Sequence, residues 1–161
     1  PVLAAMLEIE VDIDTMDFEP YAEFVPYEQN SEWVRAWTGN PELTGEEYRF
    51  FGQDGTGGLV GFWITNSNPT DVLEQPVVFF GSEGELKVLA SDFHDYLWLL
   101  AGGVGPMEAA QYGAEDANED SRCSEFANRH APAARKSPAD VLKAAEAKHP
   151  DFANLIGALL R

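Results

Sequence analysis

A chain of 161 residues, 45% hydrophobic and 24% charged, can form one ordinary domain that buries roughly 70% of its unfolded surface without a covalent staple. Its 28 acidic and 10 basic side chains give a formal net charge of −18, which argues against nucleic acid or an anionic membrane as partner and favours cationic proteins. The single cysteine, Cys123, excludes an internal disulfide; no run approaches the ~20 apolar residues of a bilayer span, and the opening PVLAAMLEIEVDID lacks a signal peptide's basic and apolar regions, so a cytoplasmic protein is expected.

The charge is uneven. Residues 1–47 hold 12 acids against the lone base Arg35, a net of −11, while residues 48–105 carry −5 and residues 106–161 carry −2. Simple solubility, or an acid-rich proteome, is the rival reading of this charge. Leu7 to Ile13 alternates apolar residues with carboxylates, the period-2 pattern of a half-buried strand that its own charge would protect as an edge. Residues 17–26 show no period and are interrupted by Pro20 and Pro26. A helix is expected over Ser31 to Thr38, capped by Asn30 or Ser31 and closed by Gly39 and Pro41. It carries Trp33 and Trp37 on one face, either docked on the sheet or held for a partner.

The central stretch, Tyr48 to Gly105, has the clearest pattern. Tyr48 to Phe51 and Leu59 to Thr65 flank the turn Asp54-Gly55-Thr56-Gly57-Gly58 and read as a hairpin. Pro76 to Phe80 and Glu85 to Ala90, joined by Gly81-Ser82-Glu83-Gly84, read as a tighter one. A helix capped by Ser91 or Asp92 follows, ending at Gly102-Gly103, with Phe93, Tyr96, Leu97 and Leu100 spaced to cover the sheet. Residues 108–135 are polar and alanine-rich and read as a loop or weak helix. Ser137-Pro138-Ala139-Asp140 starts a helix running to about Lys148, and beyond Pro150 a stripe of Phe152, Leu155, Ile156, Leu159 and Leu160 follows. The resulting expectation is an α+β fold, a twisted and mostly antiparallel sheet of about four to six strands packed against helices. It forms a single domain with its core over about residues 7–105 and a C-terminal helical appendage over about residues 106–161.

Motifs for chemistry are sparse. The glycine turn at 52–58 matches neither phosphate-binding glycine pattern, and strand rather than helix follows it. Asp12, Asp14 and Glu23 superficially resemble a calcium loop, but Met16 stands at a ligand position, Asp17 stands where glycine is needed, and Pro20 crosses the loop. His94, His130 and His149 are far apart in sequence, Ser82 lies in a hairpin turn, and Cys123 has only Arg122 beside it. No catalytic residue, metal or cofactor is therefore assigned.

The central stretch resembles the SUKH superfamily of Smi/Knr-like proteins. The residues that carry the resemblance are Tyr48-Arg49-Phe50-Phe51-Gly52, then Asp54, Gly55, Gly57 and Gly58 leading to Phe62-Trp63, then Gln75-Pro76 through Gly81, Gly84 and Glu85, and then Val88 to Ala90 with Phe93, Tyr96-Leu97 and Leu99 to Ala101. They cover about a third of the chain, and no N-terminal helix with a Leu-Pro signal accompanies them. The resemblance implies a curved sheet against helices and a non-catalytic protein-binding role. In many bacterial members that role is immunity to a toxin, often a nuclease; in others it is scaffolding. Asp54, Gly55, Gly57, Gly58, Trp63, Pro76, Gly81, Gly84, Phe93 and Leu97 then shape the fold. A basic toxin domain is the expected partner, to be met by Asp12, Asp14, Asp17, Glu19, Glu23, Trp33, Trp37, Glu46 and Glu47. The rival readings are an intracellular scaffold that uses the helix at residues 151–160, and a metal-assisted hydrolase.

Overall fold

The computed structural model describes residues 2–9, 16–66 and 70–161, and its centre is a five-stranded antiparallel sheet in which each strand's neighbour is the next in sequence. The strands are β1 (Glu19–Pro20), β2 (Tyr48–Gln53), β3 (Leu59–Trp63), β4 (Val77–Phe80) and β5 (Leu86–Ala90). Seven helices are found among the described residues: α1 (Val2–Ala5), α2 (Tyr27–Thr38), α3 (Phe93–Ala101), α4 (Pro106–Tyr112), α5 (Ser121–His130), α6 (Pro138–Lys148) and α7 (Phe152–Gly157). This is the expected α+β class, with both central hairpins at the expected places.

Both faces of the sheet are buried, so the sheet is not covered on one side only. Phe51, Val60, Phe62, Val77, Phe79 and Leu89 point into a first core with α3, α4 and α5. Tyr48, Phe50, Leu59, Val78, Phe80 and Val88 point into a second core with α2, α6 and α7. Two-sided burial explains why VVFF in β4 has no polar alternation: all four residues are buried. Register shifts at Phe50/Gly52 and Val77/Val78 leave Phe51 and Leu89 without a cross-strand partner, and both bulged residues serve the first core.

Aromatic rings fill the second core. The Phe80 ring meets Trp37 and Tyr48 at 5.0 Å, Phe50 at 5.9 Å, Trp33 at 6.0 Å and Phe152 at 6.1 Å, all edge-on, the arrangement that the ring quadrupole favours. Asn40 Nδ2 donates to the Leu159 carbonyl at 2.8 Å and the Arg161 amide donates to the Thr38 carbonyl at 3.1 Å, tying the last residues to the end of α2.

Three expectations change and one is resolved. Helix α2 starts at Tyr27, not at Ser31. Pro26 precedes it, and Asn30 lies inside it, buried, with Nδ2 donating to the Gly45 and Tyr48 carbonyls. Of the loop or weak helix expected over residues 108–135, Ser121–His130 is the helix α5 and residues 113–120 are turn and irregular: Asp120 caps α5 by accepting from the Arg122 and Cys123 amides at 3.0 Å, and Ala109, Cys123, Phe126 and Ala127 are buried in the first core. The strand expected over Leu7 to Ile13 is replaced in its first part, since Met6–Glu8 is a 3-10 turn, and its part from residue 10 on lies outside the described residues. A two-residue strand, β1, occupies a stretch that showed no period.

Where α3 ends, Gly103 adopts φ 72°, and a Cβ there would stand 1.9 Å from the Asn118 carbonyl oxygen. Glycine is required by both the backbone conformation and the approach of the following loop.

Candidate functional site

The motif residues are spent on the sheet. Asp54 is buried, and its Oδ1 accepts from the amides of Thr56 (3.1 Å) and Gly58 (2.7 Å), closing the turn in which Gly57 adopts φ 91°. The Gly55 amide donates to Asp17 Oδ1 at 2.6 Å. In the second turn Gly84 adopts φ 98°, the Gly81 carbonyl accepts from Trp37 Nε1 at 2.7 Å, and Ser82 Oγ lies 3.0 Å from Thr56 Oγ1, joining the two turns. The Pro76 carbonyl accepts from the Trp63 amide at 2.9 Å, the Trp63 ring lies 4.9 Å from Phe152, and Phe93 and Leu97 are buried in the first core.

The residues expected to meet a partner divide into three groups. Asp12 and Asp14 lie outside the described residues. Asp17 holds the Gly55 turn, and Trp33 and Trp37, stacked 6.5 Å apart, pack half-buried on Phe50 and Phe80. Glu19, Glu23, Glu46 and Glu47 are exposed.

Beside Glu19 and Glu23 lies a feature that sequence reading missed, a cavity of about 340 Å³ with mainly apolar walls. Its walls come from four places in the chain: Val2, Leu3 and Met6; Tyr21 and Phe24; Phe51 of β2; and Val72 with Leu73. The segment after β1 is laid along β2 by the Tyr21 amide donating to the Phe51 carbonyl (2.8 Å) and the Val25 amide to the Phe50 carbonyl (3.0 Å). Phe24 is set edge-on against Phe62 at 6.2 Å. Tyr21 Oη donates to Gln53 Oε1 at 2.8 Å, and Gln53 Nε2 donates to Glu19 Oε2 at 2.9 Å. Burial, and then the Glu19 charge, raise the Tyr21 pKa, so the phenol stays protonated. The charged groups lining the groove are Glu23 and Asp71, and Asp71 also accepts from the Leu73 amide at 2.9 Å. The sequence signal was faint: VLAAM, Tyr21 with Phe24, and Val72-Leu73 are isolated apolar patches in polar surroundings, and nothing local shows that they converge.

A second cavity, about 540 Å³ and more polar, is lined by Trp98, Ser124, Arg135, Lys136, Ser137 and Asp140, among others. Lys136 Nζ is paired with the buried Asp95 carboxylate at 2.6 and 2.7 Å, and the Arg135 guanidinium lies 5.2 Å from the centre of the Trp98 ring. The cations there are thus engaged by the protein itself. Burial pushes the Cys123 thiol up to about 12, which makes it a poor nucleophile at neutral pH. Among the described residues no three His, Cys, Asp or Glu side chains are placed to hold a metal ion, and no helix is long and apolar enough to cross a membrane. No family model, curated protein or solved structure matches this chain.

Proposed function

We propose that this chain is a cytoplasmic, non-catalytic protein-binding domain, an immunity-type protein that binds and occludes a cationic toxin domain. The observation that carries this reading is the net charge of −11 on residues 1–47, with Glu19, Glu23, Glu46 and Glu47 exposed and an apolar groove beside the first two. Carboxylates of one sign speed the encounter with a basic surface, and apolar contact then slows dissociation. The resemblance of residues 48–101 to the SUKH superfamily supports the immunity role. Asp54, Gly55, Gly57, Gly58, Pro76, Gly81 and Gly84 act as scaffold in this reading, in keeping with the hydrogen bonds and turns they form.

The test is co-purification and calorimetry with the toxin domains encoded beside this chain, together with protection of cells that express them. Tight, salt-sensitive binding is expected, and lack of binding to every such domain would sink the proposal. A scaffold role is favoured by a different observation, the exposure of Leu155 (51%) and Leu160 (47%) near the C-terminus. Leu155→Asp would then abolish partner capture, whereas an immunity complex formed on the acidic flank would be unaffected.

A further inference from the structure

We infer that the groove between α1, the segment after β1 and the Val72–Leu73 turn is the docking slot for an apolar anchor on the partner, a segment with one or two large apolar side chains flanked by lysines or arginines. This rests on the protein-binding reading above and adds to it where the partner binds and which chemistry is recognised.

The walls define the ligand by what they lack. Val2, Leu3, Met6, Phe24, Phe51 and Leu73 offer apolar surface, while the charged lining groups among the described residues are the carboxylates of Glu23 and Asp71, with no lysine, arginine or histidine among them. The Tyr21 hydroxyl already donates to Gln53. An anionic ligand would therefore meet like charge and find no cation, whereas an apolar group leaving water is favoured at about 25 cal/mol per Å². At about 340 Å³ the space stands near the lower end of ligand cavities, roughly 300–1,000 Å³, a size for one or two side chains.

The surroundings select a basic flank. Arg35, the only cation in residues 1–47, donates through Nε to the Leu43 carbonyl at 2.7 Å, and the Arg49 guanidinium sits 4.0 Å over the Tyr27 ring. Neither neutralises Glu23, which is exposed, so a cation beside the seated anchor gains a free carboxylate. Strand addition is disfavoured at this edge, because β1 has two residues and Pro20, which also lines the groove, has no N–H. Recognition by side chains is what remains. A second copy of the chain, itself at −18, would bring repulsion to the same site.

The experiment is fluorescence anisotropy on the full chain with three labelled 12-residue peptides. The first has a Trp-Leu centre flanked by lysines, the second has the same lysines around Gly-Ser, and the third has the Trp-Leu centre flanked by glutamates. The first should bind, the second about tenfold or more weakly, and the third not measurably. Leu73→Trp, which fills the slot, should weaken the first peptide by more than about tenfold, and Glu23→Lys, at an exposed position that cannot endanger the fold, by about fivefold. Equal binding of the first two peptides, or unchanged affinity in Glu23→Lys together with a folded Leu73→Trp, would overturn the slot. So would self-association of the wild-type chain that Leu73→Trp abolishes, since the occupant would then be a second copy. A natural partner that binds wild type and both variants alike would overturn the slot and leave the protein-binding reading standing. Peptide binding with no natural partner would do the reverse.

Discussion

Replacing Lys136 by methionine is the sharpest test of how the C-terminal half is held. Asp95 sits in the first turn of α3 with its side chain 4% exposed, and Lys136 Nζ, on a side chain 38% exposed, is its sole ion-pair partner among the described residues. Removing one member of a buried pair costs about 3–5 kcal/mol, because the remaining charge stays desolvated. Two effects reduce this. The N-terminus of α3 favours a carboxylate by up to about 1 kcal/mol, and the exposed side of Lys136 would admit water once the ammonium is gone. The expected loss for Lys136→Met is therefore about 2–3 kcal/mol, or roughly 4–12 °C in Tm for a domain of this size. Asp95→Asn should cost about 1–2 kcal/mol, because the freed lysine can reach solvent. In urea denaturation the double variant should lie no more than about 1 kcal/mol below Asp95→Asn, because both charges are then gone. A Lys136→Met variant within about 0.5 kcal/mol of wild type, or single losses that simply add, would refute the reasoning.

Other outcomes follow from features already described. Trp33→Ala should lower stability by about 2–4 kcal/mol in chemical denaturation, because the ring packs on Phe50 and Phe80. Burial, and then Lys148, lower the His149 pKa below 6.5, and its ring lies 5.4 Å from Trp63 with Nε2 unpartnered. The unfolded chain therefore takes up the proton first on acidification. Stability from this residue is complete above about pH 6.5 and declines as pH falls from there to the lowered native value, and Tm against pH should flatten over that window in His149→Gln. Gly103→Ala should cost more than about 3 kcal/mol, through collision with Asn118 as well as positive φ. Gly113→Ala, at φ 67° with open space around it, should cost only about 1–2 kcal/mol by the same denaturation assay. Cys123 should react with a disulfide reagent on the order of a thousandfold more slowly in the native chain than in urea.

The hairpins between Tyr48 and Ala90 were legible because their information is local: glycines at the turns, apolar runs between them, and Asp92 poised to accept from the Asp95 amide at 2.8 Å. Ser137 likewise caps α6, accepting from the Asp140 amide at 3.2 Å. Where local chemistry was ambiguous, tertiary contacts decided. Asn30 looks like a helix cap, yet its amide lies inside α2 and is used to hold the carbonyls of Gly45 and Tyr48. Helix α5 hid because its mean hydropathy is low: Phe126 is the one large apolar residue of its buried face, and Cys123, Ser124 and Ala127 make up the rest. The acidic flank could be read directly from the charge count, but the groove could not. It exists only where Val2–Met6, Phe24 and Val72–Leu73, up to 71 residues apart, meet.

The tie between the end of α2 and the last residues bears on how the chain is made. Asn40 and Leu159 stand 119 residues apart, so α2 and all five strands have been synthesised well before Phe152 and Ile156, which complete the second core, leave the ribosome. During that interval the first face of the sheet gains its helices in order, while Tyr48, Phe50 and Phe80 have α2 but await α6 and α7. Until α7 emerges the nascent chain thus carries a partly uncovered aromatic face, the kind of surface that chaperones engage and that associates wrongly when crowded. Closure of the second core therefore waits for α7, and a message cut short after the α6 codons would yield a chain whose aromatic core lacks Phe152 and Ile156.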